Sequence, residues 1–349
     1  MITKALRTQA IPELLQSIRE SMTYLVAPIE EDGIRLFRLV DRVEDVVLDE
    51  GNTRWSFKEV LFPRTEPLFH YRFRGNEVEL SEPKLPEGEV VIFGARPCDA
   101  AGMEVLDAVF SWGRTNPFYQ HRRKQTTIIG LSCAEPAPSC FCTAVGLSPT
   151  GAHGCDLLLT PMGEETLVEV ITLKGEAFVE KHARFFTDTN LTKEEATRAA
   201  EAKIQRNTPI AVGKELPLDE VFNSPKWEEY ARGCLGCGAC AFLCPTCHCF
   251  DIVDEGDARG GSRCKNWDAC GFALFTQHTS GHNPRSTQPA RYRQRALHKF
   301  RYLPERLEVT GCVGCGRCVA SCPVNMDIYE VATGIFPAAP VSADAEEQE

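Results

Sequence analysis

Two stretches carry the densest chemistry in this sequence, GCLGCGACAFLCP at 233–245 and GCVGCGRCVASCP at 311–323. They agree at 8 of 13 positions, the mark of an internal duplication, and each is spaced C-x2-C-x2-C-x3-C-P. Three thiolates at intervals of three, followed by a fourth cysteine and a proline, wrap one face of an iron–sulfur cube. Gly236, Gly238, Gly314 and Gly316 let the backbone make the turns this requires and aim N–H groups at sulfur, which tunes the potential. Zinc ribbons use two separated C-x2-C pairs instead. The spacing therefore favours iron–sulfur chemistry, with a zinc scaffold as the bland alternative.

In two-cluster ferredoxins with this spacing the fourth cysteine of each run serves the other cluster. Carried over, Cys234, Cys237, Cys240 and Cys322 hold one [4Fe-4S] cluster, and Cys312, Cys315, Cys318 and Cys244 hold a second. The chain has 17 cysteines, an odd number, in 349 residues. No secretory signal opens the sequence, so metal ligation is a better use for them than disulfides.

Three more cysteines crowd SCAEPAPSCFC at 132–142: Cys133, Cys140 and Cys142. They directly follow TTIIGLS (126–132), and another apolar run, EVVIFGA (89–95), leads into RPCD and Cys98. Runs apolar throughout suit parallel strands covered on both faces. Neighbouring parallel strands bring their C-terminal ends together, where α/β folds place ligands. Cys98 then joins the other three, and Cys98, Cys133, Cys140 and Cys142 are expected to hold a third [4Fe-4S] cluster. Zinc on the same four, or a set of buried thiols, are the alternatives. Cys155 is a reserve ligand or a core thiol. Cys247, Cys249, Cys264 and Cys270 could form a further site, but Cys247 and Cys249 lie so close to Cys244 that packing beside the cluster is expected rather than ligation, and none of the four is counted as a ligand.

These residues need a scaffold. Ile11, Leu14, Leu15 and Ile18 share one helix face. TYLVAP and IRLFRLV read as strands, PLFHYRF and EVEL as a hairpin about Gly75 and Asn76, and DLLLT with TLVEVIT as a second hairpin. Asp99 is placed to cap a helix through AAGMEVLDAVF, with Met103, Leu106 and Phe110 on one face. Two helices follow at about 175–205, and a polar stretch at 206–218, with Pro209 and Pro217, reads as a linker. The expected class is α+β: an N-terminal mixed α/β domain at 1–217 and a mostly helical ferredoxin-like domain at 218–335 with a long insert. A small, acidic tail at 336–349 is expected to be disordered.

Within the insert, ARYRQRALHKFRY (290–302) gathers Arg291, Arg293, Arg295, His298, Lys299 and Arg301 on a helix. Such a run is either a solvated face or a set of cations offsetting cluster charge or docking an acidic partner. His278, His282 and Trp267 are expected to pack. The net charge of -11 argues against nucleic acid or an anionic membrane as partner. No apolar run approaches the roughly 18 residues of a membrane helix, and the reading is a cytoplasmic protein. Neither G-x-G-x-x-G after a strand nor a P-loop is present, so no nucleotide site is visible.

LFPRTEPLF (61–69), FGARPCDAAGMEVLD (93–107), C-x6-CFC (133–142), CPTCHCF (244–250) and RYRQRALHKFRY together resemble one family of iron–sulfur subunits. It includes the β subunit of soluble NAD(P)-linked nickel–iron hydrogenases, the sulfhydrogenases, and the corresponding iron–sulfur subunit of anaerobic sulfite reductase; similar chains accompany heterodisulfide-reductase-type complexes. The resemblance runs from about residue 57 to 330. It implies an electron-transfer subunit with no catalytic site of its own, working between a flavin subunit that carries FAD and handles NAD(P) and a catalytic redox subunit. It also implies cysteine ligands at Cys98, Cys133, Cys140 and Cys142. A free-standing iron–sulfur enzyme with a substrate site beside the N-terminal cluster is the second reading.

Overall fold

The computed structural model describes residues 2–336 apart from 22, 49, 50, 203, 205, 206 and 214–216. Residues 337–349 of the expected tail and part of the expected linker thus lie outside the described residues. The strands are β1 Ile2–Arg7, β2 Tyr24–Glu31, β3 Ile34–Leu39, β4 Thr65–Arg74, β5 Glu77–Ser81, β6 Val90–Ala95, β7 Thr126–Leu131, β8 Leu157–Met162, β9 Glu165–Val170, β10 Phe186–Thr187, β11 Phe250–Asp257 and β12 Gly260–Trp267.

Eight of them form one mixed sheet in the order β10-β1-β9-β8-β7-β6-β2-β3. Its centre is parallel: β2 pairs with β6, β6 with β7, and β7 with β8. Hairpins β2–β3 and β8–β9 are antiparallel. The central strands are apolar throughout because both faces are covered. Val91, Phe93 and Ile129 meet the Ile11–Glu20 helix through Ile11, Leu14, Leu15 and Ile18. Ile92 and Ile128, one residue out of step, meet the Pro97–Ser111 helix through Met103, Leu106 and Phe110. This is the period-two alternation of a strand serving two cores.

One local expectation is corrected. The N-cap of the Pro97–Ser111 helix is Arg96, without a side-chain cap hydrogen bond. Asp99 lies in the first turn, fully buried, and spends its carboxylate elsewhere.

A second sheet has the order β11-β12-β4-β5. Its inner pair joins the insert between the cysteine runs to the N-terminal hairpin, from Gly260 opposite Arg72 to Asn266 opposite Thr65. Buried Glu66 on β4 forms ion pairs with Lys265 of β12 and with Arg122, whose helix, Pro117–Gln125, follows the first core helix. The C-terminal half therefore combines short helices with a long hairpin and is not the mostly helical module expected. The strand signal in FDIVDEGD is faint because most of its side chains are exposed, leaving no apolar alternation to read.

The expected linker is strapped down where it is described: Ile210 N–H donates to Ala144 O and Ala211 N–H to Phe336 O. Trp227, Tyr292, Phe300 and Val331 build the C-terminal core, and Phe141 from between two cysteines of the N-terminal loop enters it. Phe336, at the edge of the expected tail, is also buried there.

Candidate iron–sulfur centres

The two cysteine runs adopt the same backbone. Gly236 and Gly314 have φ of 67° and 62°, and Gly238 and Gly316 have 76° and 70°. Each second glycine is the left-handed N-cap of a short helix, Ala239–Phe242 or Arg317–Ala320. An L side chain resists that conformation, which is why glycine recurs at both places.

Cys234, Cys237, Cys240 and Cys322 line one cleft of ≈ 590 Å³, together with Cys318 and Arg295. Gln288 donates from Nε2 to Cys234 Sγ at 3.0 Å, and the Met326 backbone N–H donates to Cys322 Sγ at 3.2 Å. Arg291 holds Gln288 in place: its Nε and Nη2 donate to Gln288 Oε1, while Nη1 donates to Arg285 O and Ser286 O.

Cys312, Cys315 and Cys318 are each electrostatic neighbours of Cys244. Burial pushes Cys312 up to about 11 and Cys318 up to about 12, so thiolates here need a cation to form. Cys244 is held low through its hydrogen bond with Cys247, helped by Lys299. Lys299 donates to Cys244 Sγ at 3.3 Å, Thr246 Oγ1 at 3.1 Å and Gly311 O at 2.8 Å.

The positive run divides by face. Arg295 and Lys299 are buried among the thiols, while Arg293 donates to Phe222 O and stacks 3.7 Å from its ring centroid. The Gln288–Leu297 helix continues into a π turn at His298–Tyr302, which carries Lys299. Arg295 is decisive for the fit of a cluster. Its neighbours are Cys240 and Cys318, and its Nε and Nη2 have no hydrogen-bond partner among the described residues. A buried guanidinium in that state is costly unless an anionic acceptor stands beside it. Cluster sulfides held by these cysteines would supply one.

The four N-terminal cysteines also come together. β6 and β7 end side by side, and Arg96 beyond β6 donates to Ser132 O beyond β7 at 3.0 Å. Cys98 neighbours Cys140, and Cys140 neighbours Cys133 and Cys142. Burial raises Cys140 to about 12 and Cys142 to about 11. Among the described residues no group of three or more Cys, His, Asp or Glu side chains is placed to hold a single metal ion.

This third set is built onto the second cysteine run. Phe141 N–H donates to Gly314 O at 2.7 Å, and Asn52 Nδ2 donates to both Cys315 O at 3.0 Å and Cys140 Sγ at 3.4 Å. A Cβ on Gly314 would lie 2.4 Å from Cys142 N, and one on Gly316 would lie 2.4 Å from Ser139 O. Arg317, between Cys315 and Cys318, forms a buried two-pronged ion pair with Asp99, beside Cys98, at 2.6 and 2.7 Å. It also donates to Thr53 O and Oγ1. Replacing Gly314 by alanine is expected to cost about 2–5 kcal/mol, from left-handed strain and overpacking against backbone. Urea unfolding of the holo-protein checks this, and Gly146→Ala, a left-handed glycine with open space around it, isolates the strain part.

Residues 233–326 match the 4Fe-4S dicluster domain family, which accounts for two [4Fe-4S] clusters. Over 332 residues the sequence is 31% identical to the sulfhydrogenase 2 subunit beta of Pyrococcus furiosus, covering 93% of this chain and 96% of that protein. The chain belongs to the sulfhydrogenase β-subunit family. No solved structure matches it. With the dicluster match this makes it an iron–sulfur chain of the hydrogenase β-subunit kind. No helix among the described residues is long and apolar enough to cross a membrane.

Sequence reasoning missed Asn52, Lys58 and Gln288, which the fold sets beside cysteines, and Thr53, which it sets against Arg317; their types carry no signal before that. Cys155 is a core thiol against Gly130 and Leu158. His278 and His282 are exposed and face each other with ring centroids 5.3 Å apart, and Trp267 packs on Phe62.

Proposed function

We propose that this sulfhydrogenase β-family chain is the electron-relay subunit of a multi-subunit cytoplasmic oxidoreductase. It works between a subunit that carries FAD and handles NAD(P) and a catalytic redox subunit. Cys234, Cys237, Cys240 and Cys322 hold one [4Fe-4S] cluster, Cys312, Cys315, Cys318 and Cys244 a second, and Cys98, Cys133, Cys140 and Cys142 a third. Such clusters, when bound, exchange single electrons at potentials set by charge, hydrogen bonds and exposure.

The observation that carries the reading is contiguity. Residues 139–142 press their backbone onto Gly314 and Gly316, and Cys318 lines the same cleft as Cys234, Cys237, Cys240 and Cys322. Three thiol sets thus adjoin in the order third, second, first, from the ends of the central strands to the surface cleft. Two buried cations along this line, Lys299 and Arg295, offset the charge such centres bring, while Arg317 is paired with Asp99. The relative's designation as a subunit supports work in a complex.

Iron and acid-labile sulfide in the anaerobically purified complex test the third set. Cys133→Ala is expected to lose about four irons per chain and keep the two ferredoxin-type signals in electron paramagnetic resonance. Unchanged iron in this variant would refute the third set. Turnover by the isolated chain, with no flavin subunit and no catalytic partner, would overturn the relay in favour of a free-standing enzyme.

A further inference from the structure

Five cysteines remain outside these sets, and the fold gathers three of them. Cys247 and Cys249 lie in CPTCHCF just after Cys244, and Cys270 follows the end of β12. The β11–β12 ladder closes with Phe250 opposite Trp267, and Asp268 N–H donates to Cys249 O at 3.0 Å. That pairing brings Cys270 beside Cys249, whose thiol is held low chiefly by this neighbour. Cys247 is an electrostatic neighbour of both. Cys264 is not part of the group; its charged neighbours are Glu255 and Asp254.

The charge around these thiols is lopsided. Lys58 is 2% exposed, donates from Nζ to Cys247 O at 3.0 Å and lies 3.8 Å from the Trp267 ring centroid. Its charged neighbours are Cys247, Cys244, Lys299 and Cys249. Among the described residues it has no carboxylate partner, and neither has Lys299 or Arg295. Lys299 and Arg295, which face the two ferredoxin-type sets, reach these thiols too: Lys299 neighbours Cys247, Cys249 and Cys270, and Arg295 neighbours Cys270. Lys58 adds a third buried cation beside Cys247 and Cys249, in a place where an uncompensated ammonium is costly.

We propose that Cys247, Cys249 and Cys270 hold a further iron–sulfur cluster on three thiolates, with Lys58 as its buried counter-charge. Lys58, Lys299 and Arg295 all lie beside this group of thiols without a carboxylate partner, and a thiolate-bound cluster carries negative charge that answers them. The centre lies beside Cys240 and Cys244, one ligand from each ferredoxin-type set, and is a branch from the line of three rather than an extension of it.

The test is made on the holo-complex, so that each site reports separately. C249S/C270S is expected to lose about four irons and as many sulfides per chain while both ferredoxin-type signals persist. The Cys133→Ala loss is then additive to it. Full iron in C249S/C270S, a Cys249–Cys270 disulfide found by mass spectrometry of the wild type, or zinc in place of the iron would each overturn the proposal. Should the double variant fail to fold, iron-edge anomalous scattering from wild-type crystals decides. A peak between Cys247, Cys249 and Cys270 is expected, and iron confined to the other three sets would overturn it. Failure at this site leaves the third set and the relay intact, because those are read from Cys133→Ala and from turnover.

Discussion

Asp99→Ala is expected to destabilise the holo-protein by about 3–5 kcal/mol, the range for stripping one partner from a buried ion pair. Asp99 is 0% exposed, and Arg317 is 3% exposed at its side chain, so water cannot replace the lost carboxylate. Both Arg317 prongs lose their acceptor, and only Thr53 O and Thr53 Oγ1 remain to the guanidinium. The damage should also be directional. Asp99 sits beside Cys98 and Arg317 beside Cys315, so the pair fastens the N-terminal cysteine set to the second cysteine run. Equilibrium unfolding in urea measures the loss, and iron analysis shows whether iron leaves with it. The double change of Asp99 to Leu with Arg317 to Met should recover much of the stability, because an apolar pair of similar volume often equals a buried ion pair. A single-variant loss below about 1 kcal/mol, the value of an exposed pair, would show that the pair is solvated.

The second large effect is expected from Cys237→Ala. This cysteine is exposed at the mouth of the cleft that holds Cys234, Cys240 and Cys322. Truncating an exposed side chain leaves no cavity, so the packing cost is small, and the experiment isolates ligation. About four irons per chain should be lost, with one reduced-state signal in electron paramagnetic resonance, and electron delivery to the partner should fall to background. The apolar core around Trp227 and Tyr292 should remain, leaving the circular dichroism unchanged. Retained iron together with retained electron transfer would remove Cys237 from the ligand set.

The contrast between these two variants follows how the site is built. Cys237 acts through a short-range pattern repeated in the second run, whereas Asp99 acts through a partner 218 positions away. The first is legible from spacing. The second reads as a helix cap, because an acidic residue in a first turn looks the same whether it serves its own helix or a distant guanidinium. Similarly, ARYRQRALHKFRY shows its charges but not their direction. Arg293 meets the Phe222 ring, whereas Arg295, two residues on, is buried among thiols with unpartnered nitrogens. Only the packing of the helix distinguishes a solvated cation from one placed for an anionic centre.

What the sequence by itself determined is local or periodic. The two glycine-spaced runs dictate matching left-handed turns, the apolar runs at 89–95 and 126–132 dictate a parallel centre covered on both faces, and two of the three hairpins of the N-terminal half, β4–β5 and β8–β9, declare themselves. Such features need only neighbours along the chain. The tertiary structure decided everything that joins distant segments: β12 from the insert on β4, the loop at 139–142 on Gly314 and Gly316, and Lys58 among Cys244, Cys247 and Cys249. Those contacts are paid for by closing long loops and are chosen by burial, charge and backbone hydrogen bonding, quantities that no single stretch of sequence contains.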